Sequence, residues 1–188
     1  MSARKIILFL FVSVVLMPMS FSIFGVDNNV ATNTISLDVP EIALLKSNST
    51  LISLSLAHRD AGMSIETSKS DSSARLLISS VVTTSTRSVS ARISFGNTPT
   101  GTNLFLSAIN PNSHFVGSFG NIGSPIVLDV TDKPIVSGIA TCYSGTGSDD
   151  GYILRYTFAL DPNPLLYGSL RATTNAQITV TLTLTAAQ

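Results

Sequence analysis

The stretch "GTGSDDG", residues 145–151, sets two adjacent carboxylates, Asp149 and Asp150, among three glycines. Carboxylates and carbonyls at such a turn can hold a calcium ion. The spacing matches no EF-hand loop, however, and Asp-Gly is among the strongest hairpin-turn dipeptides. A turn is the expectation. No lysine follows the glycines and no helix begins there, so a phosphate loop is excluded.

"AHRDAG", residues 57–62, brings His58, Arg59 and Asp60 together. Neighbours along a strand point to opposite faces, so these three form no catalytic cluster. Asp60 is expected to accept turn hydrogen bonds. His114 stands in the loop segment "NPNSHFVG". Cys142, in "GIATCY", is the single cysteine, so the chain forms no internal disulfide. It reads as a small buried side chain, and a catalytic thiol would need a histidine nearby. There is no G-x-S-x-G nucleophile elbow. The sequence therefore nominates no catalytic residue, no metal ligand and no cofactor-binding residue, and the chain is expected not to be an enzyme. A hydrolase would need His58 or His114 within reach of both a serine and an aspartate.

Sugar-binding sandwiches rely on exposed aromatic platforms. Tryptophan is absent, and Tyr143, Tyr152, Tyr156 and Tyr167 are the only tyrosines. Asn48 opens a formal glycosylation acceptor, "NST".

The elements that must position these residues read as strands. "ITVTLTLT", residues 178–185, alternates without a break. A period of two sends Ile178, Val180, Leu182 and Leu184 to one face and Thr179, Thr181, Thr183 and Thr185 to the other. Residues 152–160 alternate as well, with Tyr152, Leu154, Tyr156, Phe158 and Leu160 inward. Further strands are expected at 34–39, 51–56, 75–83, 88–95, 103–108, 125–130 and 135–143, with the last closing at 177–185. The segments 135–143 and 152–160 are expected to pair around "SGTGSDDG". "VPEIALLKS" is the best helix candidate and would form one turn. About nine strands with turns between them predict an all-β, antiparallel two-sheet sandwich with Greek-key connections.

Residues 1–22 read as a secretory signal peptide. Arg4 and Lys5 precede the apolar run "IILFLFVSVVL", Pro18 ends it, and Ser20 and Ser22 give a cleavage spacing. The chain past residue 22, about 165 residues, is expected to comprise a flexible lead at 23–33 and one sandwich domain at 34–188. Without Arg4 and Lys5 the 11 basic residues fall to nine, against 11 acidic ones. A net charge near −2 with no basic stripe argues against nucleic acid and anionic membranes as partners. No membrane span is expected after signal cleavage. Only 12% of residues are charged while 44% are hydrophobic; serine and threonine cover the surface instead, which suits sheets.

The closing stretch "YGSLRATTNAQITVTLTLT" resembles the end of secreted pilus-subunit-like proteins of the spore coat protein U type. Those close with a tyrosine-containing turn and a Thr/Val-alternating strand. The resemblance extends to small uncharacterised exported β-proteins of Gram-negative bacteria. It covers about the last 20 residues, and it departs from the family's cysteine pairs, since Cys142 stands alone. It implies a non-enzymatic, secreted, periplasmic or cell-surface role, structural or adhesive. Self or other surface subunits would be the partners, joined through edge strands. "TISLDVP", residues 34–40, is the strand nominated for such addition, the alternative being that it pairs within its own sandwich. The competing class is a monomeric extracellular module binding a glycan or another ligand.

Overall fold

The computed structural model describes residues 30–49, 51–111, 114–174 and 176–186. The expected signal peptide, and residues 23–29 of the expected lead, lie outside them. The chain divides into a unit ending at Asp38 and a second unit, Val39–Gln188. In the first, residues 30–38 are exposed and belong to no helix or strand.

The second unit is an all-β fold of two antiparallel sheets, with eleven strands among the described residues where about nine were expected: β1 (Ile42–Ser47), β2 (Ser68–Val81), β3 (Arg87–Phe95), β4 (Thr102–Ile109), β5 (Val116–Gly117), β6 (Asn121–Ile122), β7 (Ile126–Val127), β8 (Lys133–Ile139), β9 (Cys142–Tyr143), β10 (Tyr152–Leu160) and β11 (Thr179–Ala186). One sheet runs β5-β9-β2-β10-β4-β7, with β1 added on β2; the other runs β11-β3-β8-β6. The chain changes sheet repeatedly, as β2 to β3 and β3 to β4 show, in keeping with Greek-key ordering. Between the layers lie Leu76, Ile78, Val89, Leu106, Ile135, Ile139, Tyr152 and Leu154, all buried. Alternation holds where it was expected: Tyr152, Leu154 and Tyr156 face inward.

Several expectations are corrected. "VPEIALLKS" forms no helix; its "IALLKS" is β1, because Leu45 can seat opposite Ile78 on β2. Glu41 ties the entry down by accepting from the Thr83 amide and hydroxyl, with Arg87 3.7 Å away. Residues 34–39 are not a strand. Residues 51–56 are not one either, although Ile52 and Leu54 still tuck against the core. Strand β2 begins seven residues earlier than expected, through the polar "SKSDSSA". The expected 135–143 strand is broken: β8 lies in one sheet and β9 in the other.

The strands 135–143 and 152–160 do not form a hairpin. Cys142 and Tyr143 pair with Ser80 and Ser79, the Ser144 amide donates to Ile78, and Tyr152 pairs with Leu76. β9 and β10 thus follow one another along the same edge of β2. Residues 145–151 are a loop extruded from that line, not a turn between partners. Gly151, at φ 85°, brings the chain back where a side chain would strike the Leu76 carbonyl.

Candidate functional site

A second extruded loop lies beside the first. β4 pairs with β10, and β5 pairs with β9, so Ile109 and Val116, the two ends of that connection, stand level with the two ends of residues 145–151. Phe115 seats it, stacking edge-on against Tyr152 at 5.4 Å and Phe119 at 5.5 Å between ring centroids. The Tyr152 hydroxyl, wholly buried, donates to the Phe119 carbonyl. Burial, and secondarily the nearby Cys142, pushes its pKa up.

This packing carries His114 onto Asp150, Nδ1 to Oδ1 at 2.9 Å. The other carboxylate oxygen accepts the Gly147 amide at 2.6 Å. These hydrogen bonds, the amide first and the imidazole second, hold the Asp150 carboxyl below the usual carboxylate range. Gly145, at φ 84°, sits where a Cβ would meet that carboxylate. Arg75 stands 3.8 Å from Asp149, and the Asn48 side-chain amide donates to the Ser148 carbonyl. Asn48 Oδ1 also accepts the Arg75 amide at 2.7 Å, extending the β1–β2 ladder by one step. One end of the Asn48 amide therefore holds the 145–151 loop and the other the end of the β1–β2 ladder. Around the pair is an open hollow of about 260 Å³. Asp150 is spent as a staple. Among the described residues no three His, Cys, Asp or Glu side chains are grouped to hold a metal ion.

The other sequence candidates are dispersed. His58 and Asp60 lie on an exposed turn that the Met63 amide closes onto the Asp60 backbone carbonyl, not onto the carboxylate. Cys142 is buried on β9, and burial pushes its thiol up to about 11. Tyr156 is buried and pushed up to about 12 by the same cause. Tyr143 and Tyr167 are about half exposed. Tyr167 borders a groove of about 530 Å³ with Leu160, Asp161, Pro162 and Pro164, and its hydroxyl accepts the Ile65 amide. Asp161 is already committed to Asn103 and the Asn163 amide.

Sheet edges form the second kind of candidate surface. β5, β6 and β7 are two-residue strands, too short to template a partner. Edge strand β1 carries Lys46. Along the first half of β2, Lys69 and Asp71 stand on the same side as Phe158 and Tyr156, so that margin carries charge. β11 differs. Among the described residues it pairs with β3 alone, and its eight residues include no charge, proline or glycine. Its threonines face outward, where Thr181 donates to Ser94 and Thr185 meets Ser88 at 3.2 Å. Its inward row, Val180, Leu182 and Leu184, is only partly covered, whereas their partners Ile93, Ala91 and Val89 are buried. Composition alone could have flagged this edge, but its vacancy depends on the sheet order.

No family model, no curated protein and no solved structure matches the chain. Among the described residues no helix is long and apolar enough to cross a membrane.

Proposed function

We propose that this is an exported, non-catalytic structural or adhesive surface subunit that associates by β-strand addition. The observation carrying this reading is the segment 34–39. It alternates Ile35, Leu37 and Val39, and these side chains are 77%, 89% and 78% exposed. An alternating apolar segment left in water is a strand without a sheet. Burying each such side chain is worth roughly 1.5–3 kcal/mol, and each main-chain hydrogen bond gained adds about 1 kcal/mol. That is enough to drive association once the ordering of a few residues has been offset. The absence of disulfides and the neutral hydroxyl surface fit a packing role. The test is deletion of all residues through Val39 followed by size exclusion and thermal melting. Loss of higher assemblies with an unchanged melt supports the reading; an unchanged oligomer size removes strand exchange from it.

A second reading, a monomeric module for a glycan or another extracellular ligand, is favoured by the Tyr167 groove. It offers one aromatic ring beside Pro162 and Pro164, with Ser64 and Thr67 as polar lining. Loss of glycan retention on replacing Tyr167 by alanine, in a chain that stays monomeric, would establish this reading over the first.

A further inference from the structure

We infer that the acceptor for strand addition is the free edge of β11, and that its occupant is the 34–39 segment of a second copy of this chain. The inference rests on the subunit reading above and adds to it the partner surface.

A long, flat, uncharged edge of β-branched and leucine residues is an aggregation site, and sheet proteins blunt such edges with charge, proline or brevity. Among the described residues the other margins carry charge, as on β1 and β2, or have a short strand laid over them, as β7 lies over the middle of β4. β11 has no strand hydrogen-bonded along its outer edge, although β1 of the other sheet comes near it. An edge that has escaped blunting is one reserved for a partner strand.

The fit is one of period and polarity. A strand laid beside β11 must be apolar toward the core and polar outward, with a period of two. Residues 34–39 supply Ile35, Leu37 and Val39 on one face and Thr34, Ser36 and Asp38 on the other. Seated on β11, the three apolar side chains would complete the cover of the partly buried row of Val180, Leu182 and Leu184. The three polar ones would extend the Thr/Ser face formed with β3. Two separate deficits, an unpaired strand and an uncovered edge, are removed by one contact.

A two-fold pairing of β11 with β11 of a second copy would satisfy the edge but leave residues 34–39 in water, so it is disfavoured. The pairing of unlike surfaces is heterologous, and such contacts build open chains when the rotation does not close. A linear polymer is the consequence.

Disulfide trapping on the full exported chain tests this. One population carries Ser36→Cys, and separate populations carry Thr181→Cys, Thr183→Cys or Thr185→Cys. All four positions lie on the outward face, where cross-strand neighbours are within disulfide reach. Cys142 does not compete, because it is buried. After mixing and mild oxidation, the expected product is a mixed disulfide at the mass of two chains, strongest at one of the three threonine positions. Homodimers of a β11 variant in place of that product would overturn the inference in favour of two-fold pairing. Intact oligomers with no cross-link would overturn it while leaving the subunit reading standing. A wild-type chain that is monomeric at every concentration would overturn both.

Discussion

Nδ1 of His114 lies 2.9 Å from Oδ1 of Asp150, and this contact joins two loops that leave neighbouring strand lines at the same level. The two residues stand 36 positions apart, and nothing between them foretells the contact. It turns the most chemically suggestive residues of the chain into a clamp. Replacing Asp150 by asparagine should lower the melting temperature and speed hydrogen exchange across residues 145–151, with the strands beyond unaffected.

The pH response follows from three carboxyls held below the usual carboxylate range. Asp71 is lowered by the Ser73 hydroxyl and amide, Asp129 by Lys133 and the Thr131 amide, and Asp150 by the Gly147 amide and His114. Each folded-state value lies below the unfolded one, so the charged form favours folding. That contribution is complete above the ordinary value of 3.8 and disappears as pH falls through the lower folded values. Urea midpoints should stay level down to about pH 4 and drop below it. Asp150→Asn should show a shallower drop.

Tyr152 is wholly buried, with its hydroxyl given to the Phe119 carbonyl. Tyr152→Phe strands that carbonyl and should cost roughly 1–3 kcal/mol in denaturant unfolding. Tyr152→Ala also empties the space under Phe115 and should cost about 3–5 kcal/mol.

Asn48 acts through both ends of its amide, accepting from Arg75 and donating to Ser148. Asn48→Ala should cost about 1–2 kcal/mol. Asn48→Asp keeps the acceptor and loses only the donor, so it should fall between the alanine variant and wild type.

Leu37 separates assembly from stability. Leu37→Asp should leave the unfolding midpoint within about 0.5 kcal/mol of wild type, because the side chain is exposed. The same change should abolish higher assemblies in size exclusion.

Cys142 should resist iodoacetamide at about pH 8 in the folded chain, since its thiol is buried and raised to about 11. Full modification should appear only with unfolding, read by intact mass.

The face assignments were legible in the sequence. Val180, Leu182 and Leu184 turn inward and the threonines outward, and Tyr152, Leu154 and Tyr156 fill the core. Side-chain alternation is a local consequence of extended backbone, and needs no knowledge of neighbours. The all-β class followed for the same reason.

Pairing was decided only by the tertiary structure. Residues 34–39 and 51–56 alternate as well as 178–185 do, yet only the last of these segments joins a ladder. "IALLKS" pairs with β2 despite its helix-like composition. "GTGSDDG" is an extruded loop because both of its flanks follow one edge of β2, and His114 reaches Asp150 because β4 and β5 follow the next line over. A strand's own residues settle which way its side chains point, but a backbone hydrogen bond needs a partner from elsewhere in the chain. Which partners meet is set by how the two sheets stack around their shared core.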